Sequence, residues 1–209
     1  MTYMTTETQQ PGGQTDAQFE QDSQQSTRSR NWFNTPWFIP SLSTEYLVSP
    51  NTKLSWKVYG TFAERNSVGF MRPINQEDDG SNRQVDRDYY TTYGTELRLQ
   101  HNYELFGQEQ TLVSGLRYFN GAIDRKQLGT GTTGSDMDFS VAEGDFRRNL
   151  EFTNINMAAF AENVLRFNEK LLMTAGIRLE NIQSNMKGQL NVSNGNPQIL
   201  TPLTRTRTF

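Results

Sequence analysis

Between Lys53 and Arg65 the chain alternates with a period of two. Leu54, Trp56, Val58, Gly60 and Phe62 fall on one face, and Lys53, Ser55, Lys57, Tyr59, Thr61 and Arg65 fall on the other. That is the spacing of a strand with one apolar and one polar face. The preceding segment repeats it, with Leu42, Tyr46 and Val48 against Ser41, Ser43 and Glu45. Ser49-Pro50-Asn51-Thr52 lies between them and reads as a short turn. The same pattern returns along the chain. Tyr93, Thr95, Leu97, Leu99, His101, Tyr103 and Leu105 alternate with Gly94, Glu96, Arg98, Gln100, Asn102 and Glu104. Leu171, Met173, Ala175, Ile177 and Leu179 alternate with Leu172, Thr174, Gly176, Arg178 and Glu180.

These runs predict an all-β chain of about six antiparallel, up-and-down strands. The first runs from Trp32 to Val48, with Pro36 and Pro40 at its entry, and the second from Lys53 to about Ser67. The others run from Asp88 to Phe106, Gln110 to Ile123, Leu150 to Phe167 and Lys170 to Met186. Their connections alternate. Short turns are predicted at 49–52, at Gly107-Gln108-Glu109 and at Asn168-Glu169, with long polar loops at 66–88 and 124–149, and the final stretch from 194 reads as another loop and the entry of a further strand. Strands this long exceed the ~5–6 residues usual in soluble sheets. Short turns at one end, long loops at the other and one apolar face describe a transmembrane barrel wall. A soluble sandwich also alternates, but with shorter strands and an apolar interior.

Composition sharpens this. Only 34% of residues are hydrophobic and the mean hydropathy is -0.74, yet there are eight Tyr, thirteen Phe and three Trp. Disordered chains are poor in aromatics, so sheet with one wet face fits better. Tyr46, Trp56, Tyr103 and Phe167 fall near the short turns, and Phe38, Phe62 and Tyr93 nearer the long loops. Two aromatic bands mark the two interfaces of a membrane barrel. No apolar run is long enough for a transmembrane helix, but a barrel strand needs only ~9–11 residues. The net charge of -3 carries no basic patch of the kind nucleic acid requires. With no cysteine, disulfides and thiolate metal sites are excluded. Residues 1–31 are polar and glutamine-rich, which fits a disordered tail or a surface loop between strands, and the first ten lack the pattern of a signal peptide.

Candidate chemistry is sparse. His101 is the single histidine and falls on the apolar face, so no His-based triad or Cys-His pair can be assembled. Asp136 and Asp138 in GSDMD are too closely spaced for a calcium loop and lack its later glutamate. No metal site, cofactor or catalytic residue is expected. The polar face, in contrast, carries a row of charge: Lys57, Arg98, Arg117 and Arg178 with Glu96 and Glu180, and Arg65 beside Glu64. Such a row pairs its own charges along a wet lumen, or presents guanidinium forks to an anion.

Several segments resemble the TonB-dependent outer-membrane receptors, and among them the ferric dicitrate and siderophore receptor group. They are QQPGGQTDAQF at 9–19, SRNWFNTPW at 29–37, AERNSVGFM at 63–71, GSDMDF at 134–139 and AAFAENVLRFNEKLLMTAGIRLE at 158–180, with Gly115-Leu116-Arg117 and Gly176-Ile177-Arg178. The resemblance implies an internal stretch of a 22-stranded barrel in the outer membrane of a Gram-negative bacterium. The leader, the TonB box and the plug domain are not expected within residues 1–209, and residues 1–31 become an extracellular loop. Implied partners are a ferric chelate, the TonB complex, the receptor's own plug and outer-membrane lipid. Arg65, at the long-loop end of a strand rising from the periplasmic turn, is the first candidate for holding an anionic chelate, with Arg72, Trp32 and Phe33 near the same rim. Lys57, Arg98, Arg117, Arg178, Glu96 and Glu180 line the lumen in this reading. A passive porin-like barrel and a TonB-dependent receptor for a non-iron nutrient remain open beside it.

Overall fold

The computed structural model describes residues 1–193 and 195–209. Its strands are β1 (Thr2–Gln9), β2 (Trp32–Ile39), β3 (Ser41–Ser49), β4 (Thr52–Gly69), β5 (Gln84–Leu105), β6 (Gln108–Thr130), β7 (Arg148–Asn168), β8 (Leu171–Ser193) and β9 (Asn196–Thr208). A short helix, α1 (Asp16–Gln21), is capped by Thr15, whose hydroxyl accepts from the Gln18 amide. All strands join one antiparallel sheet in the order β1-β2-β4-β5-β6-β7-β8-β9, with β3 also on β4. Apart from β2 and β3, which both lie on β4, each strand pairs with the next in an up-and-down meander, as the alternation predicts.

The first expected strand is two pieces, β2 and β3, interrupted at Pro40. Proline has no N–H to give the ladder. The register is nevertheless continuous across the break, Phe38 facing Phe62 and Ser41 facing Tyr59. The Pro40 carbonyl still accepts from the Gly60 amide at 3.0 Å. Residues 1–31 are not loop throughout: β1 pairs along the whole of β2, from Thr2↔Ile39 to Gln9↔Trp32. Its threonines are good strand formers that carry little hydrophobic signal. The final stretch, expected as a loop and the entry of a strand, is strand almost from its start, since β9 begins opposite the end of β8 at Ser193↔Asn196. Asn194, within that expected loop, lies outside the described residues. The short turns fall as expected. Phe106 and Gly107 have φ of 59° and 68°, the signature of a primed two-residue hairpin turn. The Phe106 ring stacks on Phe167 with centroids 6.2 Å apart.

A single layer has no interior of its own. Of the fully buried residues, Val68, Val85, Arg83 and Asp88 gather where the long loops fold over the strand ends, and Gln110 lies at the short-turn end, donating to the Leu105 and Arg166 carbonyls. Mid-sheet, the apolar face is bare: Leu116 is 60% exposed and Ile177 67%. That face carries Leu54 to Phe62 on β4, Tyr93 to Tyr103 on β5, Leu112 to Tyr118 on β6, Met157 to Leu165 on β7 and Met173 to Leu179 on β8. Each run is about the length that crosses a hydrocarbon core of ~9–11 tilted residues. Phe38 stacks on Phe62 and Tyr93 lies beside Tyr118 at the upper limit, and His101 stacks on Tyr103 at the lower.

Above the apolar run the same face turns charged. Arg87 pairs with Glu64 at 3.6 Å, Lys126 with Asp124 at 3.4 Å and Lys187 with Glu151 at 2.9 Å. Glu64 therefore does not sit beside Arg65 on the polar face, because successive side chains point to opposite faces.

Candidate functional site

On the polar face, the rung nearest the middle of the sheet runs Lys57↔Glu96↔Arg117↔Ala158↔Glu180, so charges of opposite sign sit side by side. Arg98 pairs with Glu96 at 2.5 Å and Arg178 with Glu180 at 3.0 Å. Asn156 donates to Glu180 at 2.6 Å. Phe160 lies between Arg98 and Arg178, whose guanidinium carbons are 5.7 and 6.0 Å from its ring centre. Gly115 makes that possible, since a Cβ there would stand 2.5 Å from the ring. Lys57 sits over Tyr59, and Lys53 pairs with Glu45 at 3.3 Å. The six residues expected to line a lumen are thus on one face and neighbouring rungs, with two of the four cations in ion pairs to the two glutamates.

The upper half of the same face is different. Arg65, Asp88 and Arg125 are consecutive on one rung. The Asp88 carboxylate is buried, 1% exposed, with Arg125 Nε at 3.3 Å and an Arg65 amino group at 3.8 Å. Gln127 Nε2 donates to both of its oxygens at 3.2 and 3.3 Å. One carboxylate is therefore shared by two guanidiniums. Each of those also rests on a ring: Arg65 on Phe33 at 5.4 Å and Arg125 on Phe152 at 5.7 Å. Arg148 approaches through Gln127, donating to its Oε1 at 3.1 Å. Arg205 and Arg207 of β9 also face inward, exposed and without an ion pair among the described residues, but they lie two and three rungs nearer the turns than Arg125. Among the described residues, the acids on the neighbouring rungs of β5 are Asp88 and Asp86. Asp86 Oδ1 is already engaged by the Leu128 amide at 2.8 Å.

Of the expected rim residues, Arg65 and Phe33 come together here. Trp32 does not: its register partner is Val68, on the opposite face, and its indole donates to the Ser135 carbonyl at 2.7 Å. Arg72 lies in the loop after β4, exposed. Arg125, Arg148, Asp88, Arg205 and Arg207 were not among the expected site residues.

The loops above are tied by arginines that face no solvent. Arg83 is fully buried and donates to the carbonyls of Arg30, Thr132 and Asp136 at 3.3, 3.3 and 2.6 Å. Burial in this carbonyl-rich pocket lowers its pKa, while Asp136 opposes the shift. Arg30 forms a fork with Asp78 and also donates to the Ser81 and Thr133 carbonyls at 3.1 and 2.9 Å. The hydrogen bond to Arg30 holds the Asp78 carboxyl below its ordinary pKa, and Asp78 in turn raises that of Arg30. Asn31 Oδ1 accepts from the Phe70 amide at 2.8 Å. The three segments 10–31, 70–83 and 131–147 are thereby one hydrogen-bonded unit. Asp136 is committed to Arg83, and Asp138 to the Ser140 amide at 2.9 Å, which holds the Asp138 carboxyl low.

Comparison with known proteins places this arrangement. A structure of the ferric citrate transporter FecA in its unliganded form superposes with a TM-score of 0.74 at 18% sequence identity. The match covers 99% of this chain and 29% of that one, so the chain spans less than a third of the transporter's length. No curated protein matched the chain. The family model described as "TonB dependent receptor-like, beta-barrel" matches residues 2–204. The bare apolar face is then the outside of a barrel wall, the charged face its inside, and the chain belongs to the TonB-dependent receptor β-barrel family.

Proposed function

We propose that the chain is part of the wall of an outer-membrane receptor that takes up an anionic ferric chelate, such as a siderophore or iron dicitrate, with energy from the TonB complex. The supporting observation is the rung at which Arg65 and Arg125 share the single buried Asp88, beneath loops locked together by Arg30 and Arg83. Two guanidiniums on one carboxylate leave positive charge unmatched in a site walled by low-dielectric protein, where an anion gains most. Family membership supports TonB-coupled uptake across the outer membrane of a Gram-negative bacterium. The ion pairs Arg98–Glu96 and Arg178–Glu180, with Arg117 across the rung from Glu96, suit a wall that meets the plug rather than a free ligand. The test is ferric dicitrate and siderophore binding by the intact receptor carrying this segment. Arg65→Ala with Arg125→Ala should weaken the bound chelate at least tenfold, and unchanged affinity would remove the rim arginines from the ligand site.

A further inference from the structure

Between the Asp88 rung and the loops, the β5–β6 ladder is interrupted. Arg87 pairs with Lys126 and Val85 with Gly129, so one residue of β5, Asp86, stands against two of β6, Gln127 and Leu128. That is a β-bulge. Leu128 has φ of 61°, in the left-handed region where a Cβ crowds the carbonyl oxygen and glycine is the usual occupant. It lies within β6 and not in a hairpin turn. A residue at a bulge loses its place in the ladder, and here side chains take over. The Leu128 amide donates to Asp86 Oδ1 at 2.8 Å, and its carbonyl accepts from Arg147 Nε at 3.3 Å. Gln84 Nε2 fixes the same carboxylate, donating to its two oxygens at 3.1 and 3.0 Å. On one side of the bulge is Gln127, which joins Asp88 to Arg148. On the other, the ladder resumes one residue out of phase, with Thr130 opposite Gln84. That phase brings the Thr132 carbonyl and hydroxyl to the buried Arg83 at 3.3 and 3.0 Å. A slip of one position would turn each side chain beyond it to the opposite face.

We infer that Asp86 is a positioning residue. By holding Leu128 left-handed it keeps Gln127 against Asp88 on one side and Thr132 against Arg83 on the other, and so joins the arginine rung to the loop unit. Only its effect on affinity rests on the chelate reading above. The sign of that effect separates positioning from charge. Asp86 lies two residues from Asp88 on the same inward face. Removing a carboxylate there would, by electrostatics alone, tighten the binding of an anion. Removing the acceptor that holds the bulge should weaken it, because Gln127 then leaves Asp88 and the two guanidiniums lose their fixed centre.

The experiment uses the intact receptor in detergent and two readouts, amide exchange over residues 127–136 and affinity for ferric dicitrate. Asp86→Ala, Asp86→Asn, Leu128→Gly and Leu128→Gly with Asp86→Ala are compared, their folding checked by heat-modifiable gel mobility. Asp86→Ala should raise exchange about tenfold and weaken dicitrate about fivefold. Asp86→Asn, whose amide oxygen still accepts from Leu128, should do neither. Glycine holds the left-handed conformation unaided, so adding Asp86→Ala to Leu128→Gly should change either readout less than about twofold. Parent-like exchange in Asp86→Ala, or exchange that Leu128→Gly does not rescue, overturns the inference. Tighter dicitrate binding by Asp86→Ala also overturns it, leaving Asp86 only its charge. If the parent binds no ferric dicitrate, the reading fails for that chelate, and the exchange pattern alone upholds or overturns the hold on Leu128.

Discussion

The two halves of the inward face have the same strands, the same register and nearly opposite electrostatics. In the lower half, Glu96 and Glu180 hold Arg98 and Arg178, Arg117 lies across the rung from Glu96, and Lys57 rests over Tyr59. In the upper half, Arg65 and Arg125 share the buried Asp88 and Arg148 approaches through Gln127, above a rung of aromatic and aliphatic side chains, with Arg205 and Arg207 on the rungs below it. A self-neutralised surface is content in water or against another polar surface. A buried carboxylate shared by two guanidiniums leaves cationic charge above it that an anion can meet. The division suggests where along the wall structure ends and recognition begins.

The largest effect should come from moving charge to the wrong face. Leu116→Arg places a guanidinium on the lipid side of the band, which costs ~2–4 kcal/mol near the bilayer midplane. The intact receptor should then lose heat-modifiable folded barrel, whereas Arg117→Leu, one residue away and facing inward, should fold normally. A Leu116→Arg barrel as stable as the parent would mean that the faces are assigned wrongly.

Next is the loop lock. Arg83→Ala removes charged donors from several carbonyls, each such bond being worth ~1.5–3 kcal/mol. Amide exchange in residues 70–83 and 131–147 should rise at least tenfold, with the membrane strands unchanged. Exchange confined to one of the two loops would show that they are not coupled through Arg83.

A smaller, pH-dependent effect follows from Asp78. Its folded pKa is lowered by Arg30, so its stabilisation is fully present above the unfolded carboxylate value of about 3.9 and is lost as pH falls through the depressed folded value. Limited proteolysis of the 70–83 loop by an acid-active protease should therefore increase only in that acid range. Asp78→Asn should remove the step. The smallest effect should be at Lys57, exposed over Tyr59. Lys57→Ala should change stability by no more than about 1 kcal/mol, the scale of surface charge contacts, and should not change chelate affinity.

Much of the wall was legible in the sequence because lipid on one side and water on the other impose a two-residue period. Leu54-Trp56-Val58 and Leu97-Leu99 identify their own strands and faces. The strands run further than the pattern because above the membrane both faces are polar. There, Gln84 to Asp88 and Asp124 to Thr130 keep the ladder but lose the alternation. Arg125 was hidden for that reason, lying in Asp124-Arg125-Lys126, which reads as loop. Trp32 was misplaced because the face of a residue near Pro36 and Pro40 depends on whether the register survives the prolines, and it does. The apolar rung left no local signal at all. Tyr90, Ile123, Phe152 and Met186 come from four strands and meet only through the register.

The central claim is that the upper inward face, and not the lower, recognises the ligand. It is tested most directly by chelate affinity in two double variants of the intact receptor, Arg65→Ala with Arg125→Ala and Arg98→Ala with Arg178→Ala. The division of the face predicts at least a tenfold loss in the first and an unchanged dissociation constant in the second. Equal losses in both, or a loss only in the second, would contradict it.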